Sequence, residues 1–169
     1  MSRWRDGIPA FNAAHDATAR EQLLVCLDVP RWADEVAAGR PYVSLNELED
    51  VMQRAARTIT DDELERALAR HPRIGERADA AQHDAEHSTR EQSGVDASDA
   101  ELARELREGN LAYEERFGRV FIIRAAGRDG PEVLAELRRR LDSDDSTERA
   151  ETIEQLTQIA VLRVREAIR

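Results

Sequence analysis

The chain has 169 residues, of which 41% are hydrophobic and 36% are charged, and its formal net charge is −10 at pH 7. These values predict a water-soluble protein with one compact domain spanning residues 1–169. They argue against a nucleic-acid partner, because phosphate binding needs a clustered basic surface. The sequence has no 18-residue apolar window and no secretory pattern, so we expect no membrane association and a cytoplasmic location.

All 25 basic residues are arginine. Schiff-base chemistry and covalently held pyridoxal phosphate both need a lysine amine, so the absence of lysine excludes both. The one cysteine, Cys26, excludes an internal disulfide and a cysteine-cluster metal site, and its apolar neighbours predict a place in the core. Small molecules or other proteins remain as partners.

Helical patterns begin near the N-terminus and recur along the chain. Proline is favoured at the first position of a helix and predicts starts at Pro30 and Pro131. Five Ser/Thr-x-x-Glu capping boxes predict further helix starts. They are Thr18/Glu21, Ser44/Glu47, Thr60/Glu63, Ser88/Glu91 and Ser98/Glu101.

The second half of the chain continues the helical pattern. A helix is predicted over 101–117 and ends at Gly118, whereas the β-branched and aromatic run 120–123 is too short for a helix. A final helix is expected over roughly residues 147–168. The sequence therefore predicts an all-α protein with seven or eight helices packed as a single domain.

His71 is the first candidate for chemistry. A residue before proline is disfavoured in the α conformation, so Pro72 places His71 at the exit of a helix that ends at Arg70. There the imidazole could act as a general acid or base near neutral pH. The alternative, favoured from this pattern alone, is that His71 only caps the last carbonyl groups of the helix.

Ser88, Glu91 and Gln92 form a second polar cluster. Glu91 is the fourth residue of a capping box with Ser88, which favours a structural role, but a capped helix start also offers N–H groups to an anionic ligand. The amide of Gln92 both donates and accepts hydrogen bonds. Such a set suits a ligand that is rich in C=O and N–H groups.

His83, Glu86 and His87 fit the H-x-x-E-H pattern of a zinc hydrolase. The pattern lacks a clear third ligand and an apolar stripe that would bury the helix, so a solvated segment is favoured over a metal site.

Arg163 falls on or beside the apolar face of the last helix, whereas Arg165 is expected to face water. A buried arginine is costly without a partner, which predicts either an anionic ligand or an internal salt bridge for Arg163.

Taken in order, the motifs resemble one known family, 2-oxo-4-hydroxy-4-carboxy-5-ureidoimidazoline (OHCU) decarboxylase, which completes the conversion of urate to allantoin. The resemblance spans nearly the whole chain and rests on the spacing of the motifs together. They are FN (11–12), Cys26 with Trp32, RPY (40–42), HPRIGE (71–76), S-x-x-E-Q-x-G (88–94), N-x-x-Y-x-x-x-F-G (110–118), FII (121–123) and I-x-x-L-R-V (159–164).

The resemblance implies an all-α, cofactor-free enzyme that holds no metal and belongs to a family whose members often form homodimers. It implies catalytic roles for His71 and Glu91. The residues that it implies for substrate binding are Pro72, Ser88, Gln92, Arg163 and the backbone of Phe121, Ile122, Ile123, Arg124 and Ala125.

Two residues depart from the family pattern. Arg124 stands where a small residue or cysteine is expected, and Asp129 stands where serine is usual. Two other functions stay open at this point: a zinc hydrolase that uses His83, Glu86 and His87, and a helical interaction module without chemistry.

Overall fold

The computed structural model describes residues 7–76, 85–95 and 99–168. Within these ranges the protein has nine α-helices and no β-strand. The helices are α1 (Ile8–Ala13), α2 (Asp16–Cys26), α3 (Pro30–Ala38), α4 (Leu45–Ala56), α5 (Asp61–Leu68), α6 (Ala85–Glu91), α7 (Ala100–Phe117), α8 (Gly130–Leu141) and α9 (Asp145–Ile168). The predicted all-α class is confirmed.

The helix count exceeds the expected seven or eight because α1 was not predicted. This helix has only six residues, too few to show a 3.6-residue apolar period. None of the nine described helices combines the length and the apolar composition that a membrane span requires.

The described residues form two compact units. One contains the chain up to Ala67 together with the residues from Leu156 onward, and the other contains Leu68–Gln155. Helix α9 contributes residues to both. The assignment of residues 1–169 to one domain stays a prediction.

In the first unit, α2 packs on α3 and α3 packs on α4. Trp32 of α3 is fully buried, and its indole Nε1 donates a hydrogen bond to the Met52 carbonyl of α4 at 3.0 Å. Cys26 is 4% exposed, which confirms the predicted core position. Burial of the aromatic ring and satisfaction of its one polar atom together fix α3 against α4.

Two of the motifs that carry the family resemblance, FN (11–12) and RPY (40–42), contact each other in the first unit. The Asn12 side chain donates to the Tyr42 carbonyl and accepts from the Tyr42 N–H, both at 2.8 Å. Arg40 donates to the carbonyl groups of Phe11 and Ala14, which lie at the end of α1. These residues therefore tie α1 to the turn after α3, and their role in the structure is architectural.

The second unit is built on the packing of α7 against α8. Helix α7 ends at Phe117 and is capped by Gly118, as predicted; the Gly118 φ of +67° is a left-handed conformation that favours glycine. Apolar side chains from both helices and from the 121–125 segment form the core: Ile74, Leu102, Leu106, Tyr113, Phe117, Phe121, Ile123, Ala125, Val133, Leu134 and Leu137.

Two of the five predicted capping boxes are confirmed. Ser44 Oγ accepts from the Glu47 N–H, and Thr60 and Glu63 exchange side-chain-to-backbone hydrogen bonds in both directions. Each box satisfies backbone donors that a helix start would leave unpaired.

Two boxes are wrong. Thr18 lies inside α2, which begins at Asp16, and Ser88 lies inside α6, which begins at Ala85. A Ser/Thr and a Glu three residues apart also face the same side of a continuing helix, so the pattern does not distinguish a helix start from a helix interior.

The fifth box predicted Ser98 as the cap, and Ser98 lies outside the described residues. The observed cap of α7 is Asp99, whose Oδ1 accepts from the N–H groups of Glu101 and Leu102 at 3.1 Å each. Helix α9 likewise begins at Asp145, two residues before the predicted start, because Asp144 accepts from the Thr147 N–H at 2.8 Å.

Candidate functional site

The loop His71–Glu76 follows α5 in the second unit. Helix α5 ends at Leu68, slightly before the predicted Arg70, and the His71 N–H donates to the Leu68 carbonyl at 3.0 Å. His71 is only 7% exposed, and Pro72 is also buried. The predicted position of His71 at a helix exit is confirmed, and its ring is largely shielded from water.

Helix α7 anchors this loop at two points. The Arg73 guanidinium forms a bidentate ion pair with Glu114, with Nε–Oε1 at 2.5 Å and Nη2–Oε2 at 3.0 Å. The Asn110 Nδ2 donates to the Ile74 carbonyl at 3.0 Å. The Glu114 carboxylate, which accepts these hydrogen bonds, raises the pKa of Arg73, so the guanidinium stays charged.

A third anchor comes from the end of α6. The Gln92 Oε1 accepts from the Gly75 N–H at 3.0 Å, and Gly75 has a φ of +86° that favours glycine. The structure thus brings the loop that contains His71 against the predicted binding residue Gln92. Because the amide oxygen of Gln92 is occupied, its Nε2 is the group left to donate to a ligand.

Ser88 and Glu91 are three residues apart and lie on one side of α6, and Gln92 directly follows the helix. Ser88 is 3% exposed, and its Oγ has no hydrogen-bond partner within the described ranges. A buried polar group left unpaired costs about 1–3 kcal/mol. The Ser88 hydroxyl therefore favours a ligand or water at this position.

The 121–125 segment connects α7 and α8 without regular secondary structure. The Arg124 N–H donates to Gln155 Oε1 at 2.9 Å, so this N–H is already occupied. The Ile123 N–H has no acceptor among residues 7–76, 85–95 and 99–168, although Ile123 is only 2% exposed. Of these two predicted donors, Ile123 is the one that remains available.

Arg163 lies in the first unit. It is 2% exposed, and its Nη1 donates to the Val25 carbonyl at 3.2 Å. Arg165 is exposed and forms a bidentate ion pair with Glu49. The predicted burial of Arg163 and exposure of Arg165 are confirmed, whereas the approach of Arg163 to His71 stays a prediction.

Comparison with known proteins identifies the family. The family model described as OHCU decarboxylase matches residues 12–165. The chain belongs to the OHCU decarboxylase family.

Named relatives agree with the family match. The chain is 30% identical over 138 residues to the 2-oxo-4-hydroxy-4-carboxy-5-ureidoimidazoline decarboxylase of Haloferax volcanii, covering 81% of this chain and 80% of that protein. It is 29% identical over 144 residues to the enzyme of the same name from Amia calva, covering 82% and 81% of the two chains.

A solved structure shares the fold of the OHCU decarboxylase family with this chain. The crystal structure of OHCU decarboxylase in the presence of (S)-allantoin superposes with a TM-score of 0.70 and 21% identity, over 90% of this chain and 97% of that one.

The structure explains one departure from the OHCU decarboxylase pattern. The Asp129 side chain caps α8 by accepting from the Glu132 N–H at 2.9 Å. Serine, the usual residue, is an equally good cap. Asp129 therefore preserves the local structure, whereas nothing in the structure explains why arginine occupies position 124.

The residues of the zinc pattern are only partly described. His83 and the side chain of Glu86 lie outside the described residues, and His87 is half-buried in α6. Among the described side chains, no group of three or more His, Cys, Asp or Glu could hold a metal ion.

A cavity of about 560 Å³ lies in the second unit, at the starts of α7 and α8. It contains none of the predicted site residues. Two of its carboxylates, Asp99 and Asp129, already cap those helices.

The sequence analysis missed the residues that hold the loop 71–76 and the 121–125 segment: Asn110, Glu114 and Gln155. Asn110 belongs to the N-x-x-Y-x-x-x-F-G motif. That motif was a signal, in the sequence, of a buried asparagine whose amide has a specific hydrogen-bond partner. The others look like ordinary helix surface residues in the sequence, and only their contacts reveal a role.

Proposed function

We propose that this protein catalyses the cofactor-independent decarboxylation of OHCU to S-allantoin, the last step in the degradation of urate to allantoin. The match to the OHCU decarboxylase family over residues 12–165 carries the proposal. The buried His71 and the Ser88 hydroxyl, which has no hydrogen-bond partner among the described residues, support it, because they provide a shielded titratable group and an open hydrogen-bonding position.

His71 and Glu91 are assigned the proton transfer, and Arg163 is assigned to the anionic substrate. Ser88 and Gln92 bind the ureido or imidazoline groups, and Pro72 packs on the ring. The backbone of the 121–125 segment contacts the carbonyl oxygens through N–H groups other than that of Arg124, which Gln155 engages.

The reaction breaks the bond between the ring carbon and its carboxylate. The electron pair stays on the ring as a carbanion conjugated to the imidazoline, and CO₂ leaves. A proton then adds to one face and gives S-allantoin. Hydrogen-bond donors and a cation that face the developing charge lower the barrier, and proton transfer by one positioned side chain typically contributes about 10²–10⁴-fold.

The test is a circular-dichroism time course of S-allantoin formation. OHCU is generated from urate through 5-hydroxyisourate, and the protein is added in the presence of a chelator. Faster appearance of S-allantoin with the protein than without it supports the function. An unchanged rate of OHCU loss refutes it, and activity that requires added zinc supports the H-x-x-E-H pattern instead.

We also infer a homodimer and a cytoplasmic location from the family resemblance. Light scattering coupled to gel filtration tests the first, with about twice the 19.1 kDa chain mass expected. A monomer at assay concentration contradicts it. Fractionation of the source cells tests the location.

A further inference from the structure

A charged cluster is buried in the second unit, and it includes none of the predicted catalytic side chains. Arg140 of α8 and Glu148 of α9 are both fully buried and form an ion pair, with Arg140 Nε to Glu148 Oε1 at 2.8 Å. The Tyr113 hydroxyl donates to the same carboxylate oxygen at 2.5 Å. Burial and this hydrogen bond raise the pKa of Tyr113, so its hydroxyl stays a donor.

Such a cluster is not explained by stability alone. Burying an ion pair removes two charges from water, and replacing such pairs by apolar residues is often neutral or stabilising. The guanidinium of Arg140 has a further contact that an apolar residue could not make. Its Nη1 donates to the Ile122 carbonyl at 2.6 Å, and the group lies 4.7 Å from the centre of the Phe121 ring.

This contact sets the orientation of the next peptide group. The Arg40–Pro41 bond is the one cis peptide in the described chain, so the Ile122–Ile123 peptide is trans. The C=O and N–H of a trans peptide point in opposite directions. With the Ile122 carbonyl held by Arg140, the Ile123 N–H points away from the buried pair.

A second contact fixes the other side of Ile123. The Arg124 N–H is held by Gln155, so the peptide groups before and after Ile123 each have one anchored atom. A charged donor on the Ile122 carbonyl also polarises that peptide and makes the Ile123 N–H a stronger donor. This N–H is buried and has no acceptor within the described chain, which favours a ligand oxygen as its partner.

We propose that Arg140 is a positioning residue: by holding the Ile122 carbonyl, it directs the Ile123 N–H towards the substrate as a hydrogen-bond donor. The proposal rests on the proposed function. Arg140 touches no substrate and acts through the backbone, and Glu148 keeps its guanidinium in place.

Two variants of the full chain test this role. Arg140→Lys keeps the positive charge but cannot bind Glu148, Thr152 and the Ile122 carbonyl together. The double variant Arg140→Met/Glu148→Met removes both charges, so neither is left buried alone. Arg139→Met is the matched control, because the neighbouring Arg139 is half-exposed and pairs with Glu136 and Glu151 on the surface.

We expect kcat to fall in both Arg140 variants while helicity is retained and KM changes little. A donor that acts mainly in the transition state affects kcat and kcat/KM alike. In other enzymes, the loss of one oriented hydrogen-bond donor lowers kcat about 10²–10³-fold. The Arg140 variants weaken the orientation of the donor but keep it, so we expect kcat to fall at least about tenfold. Arg139→Met should match the wild type.

A folded Arg140 variant with the activity of Arg139→Met overturns the proposal. If neither Arg140 variant retained helicity, Glu148→Gln decides: it leaves Arg140 in the chain but removes the carboxylate that keeps its guanidinium in place. Unchanged kcat in that variant also overturns the proposal.

Hydrogen exchange separates this proposal from the proposed function. Amide exchange across 121–125 should accelerate in the Arg140 variants relative to Arg139→Met, whether or not the protein turns over OHCU. Inactive wild-type protein refutes the decarboxylase function. Unchanged exchange across the segment refutes the role of Arg140.

Discussion

At the scale of single residues, the candidate site depends on side chains that hold other groups in place. Asn110 and Glu114 anchor the loop after α5, and Gln92 joins that loop to α6. The Asn110 contact is buried, so it satisfies a backbone carbonyl that would be costly to leave unpaired. His71 is therefore presented on a loop with three fixed points.

The role of His71 can be tested against a second histidine. His71→Ala should lower kcat at least about 100-fold, because a positioned acid–base group typically contributes about 10²–10⁴-fold. His15→Ala is the control, since His15 is exposed and makes no side-chain cap at the start of α2. Steady-state rates and far-ultraviolet spectra are compared. Activity retained in folded His71→Ala contradicts the assignment.

At the scale of secondary structure, capping decides where several helices begin. The sequence contains many Ser, Thr, Asp and Glu residues, so capping patterns occur more often than caps. The observed starts follow the side chain that reaches an unpaired N–H, as Asp99 and Asp144 do. A departure from the family pattern at a helix start is therefore best judged by whether the new side chain can accept a hydrogen bond from an unpaired N–H.

The substitution at position 129 illustrates this. Asp129→Ala should lower the free energy of unfolding by about 1 kcal/mol, whereas Asp129→Ser should stay near the wild type, because serine and aspartate cap equally well. Urea denaturation measures both. Asp142→Ala, at the opposite end of α8, is the control and should not destabilise, because a carboxylate there opposes the helix dipole. Equal losses for Ala and Ser contradict the capping role.

The start of α5 gives a prediction for pH. Glu63 lies in the first turn of this helix, and the hydrogen bond that its carboxylate accepts from Arg31 lowers its pKa below the ordinary 4.5. A lowered folded pKa adds stability that is present above pH 4.5 and is lost as the pH falls through the folded value.

Glu63→Gln should therefore lower the free energy of unfolding at pH 7 by about 0.5–1 kcal/mol, a figure reduced by partial exposure of the pair. The difference from the wild type should shrink as the pH falls below 4.5. Glu65→Gln, at an exposed position of α5, is the matched control. If the difference in the free energy of unfolding between Glu63→Gln and the wild type stays the same in acid, the stabilising role of the Arg31–Glu63 ion pair is contradicted.

At the scale of the whole molecule, composition limits the chemistry. The 25 basic residues are all arginine, so no side-chain amine can form an imine with a substrate. Treatment with borohydride during turnover should leave activity and side-chain mass unchanged. Intact-protein and peptide mass spectrometry provide the measurement, and a reduced adduct on a side chain contradicts an imine-free mechanism.

The sequence by itself determined the all-α class, the exit of α5 at His71, the burial of Arg163 and the family. These features depend on local spacing: apolar residues at a helical period, a proline after a histidine, and motifs in a fixed order. Local rules also placed two capping boxes correctly, but they misplaced Thr18 and Ser88, because the same spacing occurs within helices.

Only the tertiary structure decided which polar groups are occupied. Gln155 takes the Arg124 N–H, Arg140 holds the Ile122 carbonyl, and the Ser88 hydroxyl is buried without a partner in the described chain. These partners are up to 31 residues apart in sequence. No local pattern records such pairs, because packing of α8 and α9 around the 121–125 segment brings them together.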